Sequence, residues 1–234
     1  MNDFAFWKHG APIRVENVQA RLASWERKTH PEKVRLTKYL DELIPRLKPP
    51  PIERPLFLHL EVNIANRADL LRQQDLENYL TPLFGGRYLN SNEFVLVSAA
   101  KRVGGPNKVT IGYAEPYEAP NHEWHHFTCE EGRSAGSSDW KLSVRDRLRA
   151  CSTLLCDGPA EVQLAWRCST RRKWVNLWKP TGDTMGAVLG DAAGRQPFNP
   201  KDDRIVSLWL HRTVDETLGH RVKIGMWWKQ GIED

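Results

Sequence analysis

Apolar residues recur along this chain at two spacings, and the changes between them mark out its elements. Val34, Leu36, Leu40, Leu43, Ile44 and Leu47 fall at near-helical intervals, so Glu32 to Leu47 predicts a helix with Pro31 in its first turn. Asn17 to His30 predicts another. Pro49, Pro50, Pro51 and Pro55 then read as a stiff, extended connector. From Leu56 the period changes to two: Leu56, Leu58, Leu60, Val62 and Ile64 alternate with Phe57, His59, Glu61 and Asn63, the pattern of a half-buried strand. A polar excursion from Asn66 to Gln74 leads into a short helix or turn, Asp75 to Pro82, that stops at Gly85-Gly86. Phe94 to Ala100 predicts a strand, Gly104-Gly105-Pro106-Asn107 a turn, and Lys108 to Tyr113 the returning strand.

A Gly- and Ser-rich joint, Glu130 to Ser138, follows, and Ser138 or Asp139 is placed to cap a helix running to about Leu148. The order then recurs. Val162, Leu164 and Trp166 alternate in a strand, Arg167 to Lys173 is polar, Thr184, Met185 and Val188 fall in a gapped helix, Ile205 to His211 is a strand, and Arg221 to Met226 returns after a turn around Asp215. Two motifs match across the repeat: Asn78-Tyr79-Leu80-Thr81-Pro82 with Asn176-Leu177-Trp178-Lys179-Pro180, and Lys108-Val109-Thr110-Ile111-Gly112 with Arg221-Val222-Lys223-Ile224-Gly225. These point to an α+β fold made by tandem duplication of a strand–helix–strand–hairpin unit, with helices ahead of each copy and the copies forming a pseudo-dimer. The boundaries are 1–55 for the N-terminal helices and connector, 56–129 for the first copy, 130–158 for linker and helix, and 159–234 for the second copy. Two unrelated strand–helix–hairpin units are the plainer alternative.

Composition adds little to this and excludes some classes. At 234 residues, 40% hydrophobic and 27% charged, the chain can form a real core. It has no basic leader followed by an apolar run, and no stretch near the roughly 20 apolar residues that span a bilayer. Cys129, Cys151, Cys156 and Cys168 lack CxxC spacing and read as reduced thiols of a cytoplasmic protein. A net charge of +5 permits a polyanionic partner without requiring one. Some of the ten tryptophans must be core, and the others are candidates for stacking.

Asp75 and Glu77 carry the clearest chemistry. Carboxylates two apart on extended backbone point the same way and can share a hard cation such as Mg²⁺, which suits phosphodiester hydrolysis. A solvated turn whose Asn78 caps a helix is the bland alternative.

The order strand, paired acids, Asn, helix, further acids and next strand resembles the RusA-like Holliday junction resolvases, whose pattern is D-x-D-N-x-x-K and then D-D-x-[VI]. The first copy has Asp75-x-Glu77-Asn78, with Thr81 at the lysine position and Ser91-Asn92-Glu93 before the next strand. The second keeps Asn176, Lys179, Asp183 and Asp202-Asp203-Arg204-Ile205, while Lys173 and Val175 stand where the leading acids belong. The resemblance spans about 60 residues of each copy. It implies binding of branched DNA, four-way junctions, by a chain that acts, as a monomer, like the family's homodimer, and the cationic stretch from Arg167 to Lys179 adds single-stranded DNA as a candidate. It also implies a Mg²⁺-dependent endonuclease with Asp75, Glu77 and Lys179 catalytic, and metal held by acids drawn from Asp75, Glu77, Glu93, Asp202 and Asp203. Because the family builds each site within one subunit, Glu93 is the expected third ligand, and Asp202 or Asp203 crossing from the other copy is the alternative. Loss of acids from the second copy leaves a non-cleaving binding or adaptor module as the rival function.

Arg167, Arg171, Arg172, Lys173 and Lys179, interleaved with Trp166, Trp174 and Trp178, form the strongest cationic stretch. They read as phosphate contacts and base-stacking surfaces, with Lys101, Arg102, Arg67 and Arg72 extending the surface. A solvated loop with inward tryptophans is the alternative. His122-Glu123-Trp124-His125-His126 fits H-E-x-x-H, which would make a zinc metallopeptidase a further alternative. That chemistry needs a helix, and Pro116 and Pro120 argue against one.

Overall fold

The alternation of β2 (Leu56–Ile64) sorts the two faces of the central sheet. Leu56, Leu58, Leu60, Val62 and Ile64 are buried on one face, and His59, Glu61 and Asn63 are half-buried on the other. Against the first face packs α1 (Pro31–Leu47). Its buried stripe of Leu36, Leu40, Leu43 and Leu47 follows spacings of four and three. Each such leucine contributes about 1.5–3 kcal/mol by leaving water, so the stripe, more than helix propensity, holds α1 in place. The computed structural model describes residues 3–23, 27, 29–49, 54–71, 75–85, 88–192 and 198–231.

The remaining elements are β1 (Phe6–Val18), α2 (Leu76–Leu80), β3 (Phe94–Val103), β4 (Asn107–Tyr117), β5 (His125–Glu131), α3 (Ser138–Cys151), β6 (Ala160–Cys168), α4 (Val175–Gly182), α5 (Gly186–Leu189), β7 (Ile205–Val214) and β8 (Val222–Gln230). The eight strands form one mixed, mostly antiparallel sheet in the order β1-β4-β2-β3-β7-β6-β8-β5. Among the described residues only β2–β3 and β6–β7 are parallel pairs. A single continuous core runs under both halves. It joins the α1 leucines to Trp140, Val144 and Leu148 of α3 and to Val162, Leu164 and Trp166 of β6.

The order is the same read from either end, with β3 and β7 pairing antiparallel at the centre from Leu96–His211 to Ala100–Ser207. Each half runs strand, helix, strand, a helical connection, strand and strand, the connection being α2 in the first half and α4 with α5 in the second. Even an irregularity recurs: the β2–β3 register slips between Leu56 and Phe57, and the β6–β7 register between Ala160 and Glu161. Leu56 therefore corresponds to Ala160, and Phe94 to Ile205.

Three expectations need correction. The predicted helix Asn17 to His30 is helical at none of its described residues: Asn17 and Val18 end β1, which hydrogen-bonds β4, whose outer edge would otherwise carry unpaired backbone groups, and Gln19 to Ala23 are irregular. The helix ahead of β6, α3, is capped by Ser137, before both predicted caps, its Oγ accepting from the Trp140 N–H at 3.2 Å. Of the two matched motifs, only the first survives in register. Gly112 pairs with Phe57, which corresponds to Glu161, whereas Gly225 pairs with Ala165, four residues on. Within the predicted connector, Pro50 and Pro51 lie outside the described residues, as do Arg72 and Gly86.

Candidate metal centre at the junction of the two halves

The short α2 is anchored by Leu76, Tyr79 and Leu80 in the core, and this leaves Asp75 and Glu77 at its start. The Asn78 side-chain N–H donates to Asp75 Oδ2 at 2.8 Å and fixes that carboxylate. Asp202 comes from the other half, on a 3₁₀ turn (Asp202–Arg204) ahead of β7. Buried Arg204 pins this turn by donating to the carbonyls of Gly158 at 2.8 Å, Leu189 at 2.7 Å and Cys156. Because β3 and β7 are antiparallel, the start of β7 lies beside the end of β3, on the side where the chain leaving β2 delivers Asp75. The result is that Asp75, Glu77 and Asp202 bring one carboxylate oxygen each within 4.8 Å of one another.

Two lysines attend the cluster. Lys179 Nζ, from α4, lies 3.0 Å from Glu77 Oε1, 3.2 Å from Asp183 Oδ1 and 3.4 Å from Asp202 Oδ2. Glu77 Oε1 takes no directed hydrogen bond, so its contact with Lys179 is an ion pair set by distance alone. Asp183 is held from its other side by Lys141 of α3 at 2.5 Å. Lys101, at the end of β3, is buried and donates to the carbonyls of Leu70 at 3.0 Å and Asp203. It thus ties the Asp202 turn to the first half.

The electrostatics are those of crowded, buried acids. Two ionised carboxylates 4.8 Å apart repel by about 3–4 kcal/mol at an effective dielectric constant near 20. Burial, and then the neighbouring Glu77 and Asp75, push the Asp202 carboxyl up to about 8 against the pull of Lys179. Glu77 is also raised, by burial first, with Lys179 opposing and Asp75 adding to the rise. Burial lowers the Lys101 ammonium to about 8 despite the surrounding carboxylates. Burial alone would lower Lys179 too, but Glu77, Asp202 and Asp183 together outweigh it and hold this ammonium charged.

The donor set fits a hard divalent cation. Three carboxylate oxygens suit Mg²⁺ or Mn²⁺, around which ligand oxygens lie about 3–4 Å apart with water completing the shell. Glu77 Oε1 is buried and without a directed donor, so it has a lone pair free for such an ion.

The other candidates read from the sequence separate into groups. Glu93 is outside the cluster, contrary to expectation: it sits on the turn before β3, at the far end of that strand, where the Asn90 side chain donates to it at 3.4 Å. Asp203 contributes its backbone carbonyl rather than its carboxylate. Trp174 and Trp178 are core residues, as is Trp166, and offer no stacking surface. Trp174 Nε1 donates to the Ser91 carbonyl at 2.8 Å, and Trp178 packs edge-on against Phe84 and Trp174. Arg167 lies away from the acids, paired with Asp215 at 2.7 Å and Asp3 at 3.4 Å. Arg172 donates to the Arg133 carbonyl at 2.7 Å, while Arg171, Lys173, Arg102 and Arg67 are exposed.

The H-E-x-x-H run does not lie on a helix. His122 and Glu123 are in a turn, and His125 and His126 are neighbours on β5, so their side chains diverge to opposite faces. Lys141 was not anticipated, because only the packing of α3 against α4 brings it to Asp183.

Among the described residues no helix is long and apolar enough to cross a membrane. Neither comparison with protein-family models nor comparison with curated proteins gives a match.

Proposed function

We propose that this protein is a divalent-metal-dependent endonuclease of the RusA-like type, acting on branched or single-stranded DNA. In this reading a duplicated unit serves as a dimer within one chain. The observation that carries it is the convergence of Asp75 and Glu77 from one half with Asp202 from the other. The agreement of connectivity and register slip in the two halves supports the duplication. Asp75, Glu77 and Asp202 would hold the ion, which supplies a polarised phosphoryl oxygen and an acidified water when bound. Lys179 keeps its positive charge among the acids and is placed to stabilise negative charge developing on a phosphodiester. Lys101 is a positioning residue that holds the Asp202 turn through the Asp203 carbonyl.

A second reading is a module that binds without cutting. It is favoured by Lys179, which already pairs with three acids and could stand permanently in place of a metal. The two separate on a panel of junctions, flaps and single strands with Mg²⁺ or Mn²⁺. The nuclease cuts at least one substrate, and Glu77→Gln or Asp202→Asn abolishes cutting while sparing binding in EDTA. Wild type that binds the panel and cuts nothing establishes the module instead.

A further inference from the structure

The matched halves mean that the metal cluster has a counterpart position, and its chemistry is reversed. Asn78 and Asn176 fix one correspondence: each donates its backbone N–H to the carbonyl three residues back, at 3.1 and 3.0 Å. The flanking burial agrees, with Leu76, Tyr79 and Leu80 matching Trp174, Leu177 and Trp178 in the core. Lys173 and Val175 therefore stand where Asp75 and Glu77 stand. The shared register slip fixes the other correspondence, so Ser91 and Asn92 stand where Asp202 and Asp203 stand. A cross-half contact verifies the mapping. Lys101 donates to the Asp203 carbonyl, and Arg212, its counterpart, donates to the Asn92 carbonyl at 2.9 Å.

Here no acid has replaced those lost. A groove of about 640 Å³ opens at this position, its lining including Lys173, Lys179, Asn176, Ser91, Asn92 and Thr81. Lys173 is exposed and has no ion pair among the described residues. Arg212, 3% exposed, and Arg172 do not line this groove: their unpaired Nε, Nη2 and Nη1 atoms are sealed from solvent, beside the Cys168 thiol. Facing these cations among the described residues are the Cys168 thiol, beside Arg172 and Arg212, and Glu216, which accepts from the Thr170 N–H and lies near Arg171 and Arg212. The charge the groove itself presents is that of exposed Lys173, with the amides of Asn176 and Asn92 beside it as hydrogen-bond donors.

We infer that this groove is a phosphate-binding site that holds a second nucleic-acid strand without cutting it, so the protein cuts one strand per encounter. The inference rests on the nuclease reading for its ligand but not for its geometry. Lysine and amides bind a phosphodiester oxygen by charge and hydrogen bond, and with no carboxylate in the Asp75, Glu77 or Asp202 positions a divalent cation finds no ligand there.

The test measures binding of a labelled single-stranded oligonucleotide in EDTA, where cutting cannot interfere. Lys173→Glu should weaken it about tenfold and reduce the salt slope by about one, while Mn²⁺ affinity stays that of wild type. Lys173→Gln should fall between the two and guards against a folding defect. A branched substrate labelled on each strand should show one cut per complex. If Lys173→Glu binds the oligonucleotide with wild-type affinity and salt slope, the inference is wrong, even where Glu77→Gln has confirmed the nuclease. If the groove responds only to inorganic phosphate, as a Lys173-dependent rise in melting temperature without oligonucleotide binding, it is a small-anion site and strand holding is overturned. Paired cuts in both strands would also overturn it.

Discussion

Lys179, carried by the second half, places its Nζ 3.0 Å from Oε1 of Glu77, carried by the first. The same ammonium reaches Asp183 and Asp202, so one internal cation balances acids from both halves. A divalent ion in the cluster would have to share these carboxylates with Lys179, and that competition sets the first expectation. Lys179→Met should destabilise the metal-free protein by about 1–3 kcal/mol, because it leaves buried carboxylates uncompensated. It should also make added Mn²⁺ more stabilising than in wild type. Thermal melts with and without Mn²⁺ read both effects, and equal Mn²⁺ shifts in the two proteins would remove the competition.

Asp202 sets a pH dependence for metal binding. Its carboxyl titrates near 8, so at neutral pH a cation must displace a proton. Mn²⁺ affinity should rise between about pH 6 and pH 9, with proton release detectable by calorimetry in buffers of different ionisation enthalpy. A flat affinity across that range would place Asp202 outside the ligand set.

The same group affects stability with the opposite sense. Its folded value lies above the ordinary carboxylate value of 3.8, so the folded state holds the proton more tightly. The stabilisation is complete below the unfolded value and is lost as pH rises through about 8. Without metal, Asp202→Asn should therefore gain on wild type as pH rises, by about 1–2 kcal/mol at alkaline pH, the lost Lys179 contact offsetting part of the gain. Lys101, lowered to about 8, contributes in the other direction in both proteins, so the difference between them at each pH is the quantity to follow.

Trp174 and Trp178 should behave as core residues. Replacing either with Ala should cost about 3–5 kcal/mol, seen as a lower denaturation midpoint. If either variant keeps wild-type stability and loses nucleic-acid binding, that tryptophan is a stacking residue after all.

Their misreading shows where local pattern stops. Arg171, Lys173 and Trp174 are close in sequence, but the turn into α4 exposes the first two and buries the third. By contrast, the period of two from Leu56 to Ile64 and the helical spacing from Leu36 to Leu47 each report one buried face, so β2 and α1 were legible. Asp75 and Glu77 were legible as a pair because their spacing is local. Their third partner was not, since the choice of Asp202 over Glu93 depends on β3 pairing antiparallel with β7, a long-range register that no local pattern encodes. The Lys108–Gly112 and Arg221–Gly225 likeness misled for a related reason: the strands match in composition but sit four residues apart in register.

One composite metal site with ligands from both halves, Asp75 and Glu77 from the first and Asp202 from the second, is what the geometry offers. Mn²⁺ titration by calorimetry of wild type, Asp202→Asn and Glu93→Gln tests it most directly. A composite site binds a single Mn²⁺ per chain, with affinity reduced by more than about tenfold in Asp202→Asn and unchanged from wild type in Glu93→Gln. Loss of binding in Glu93→Gln with retention in Asp202→Asn would contradict it, as would a wild type that binds no Mn²⁺.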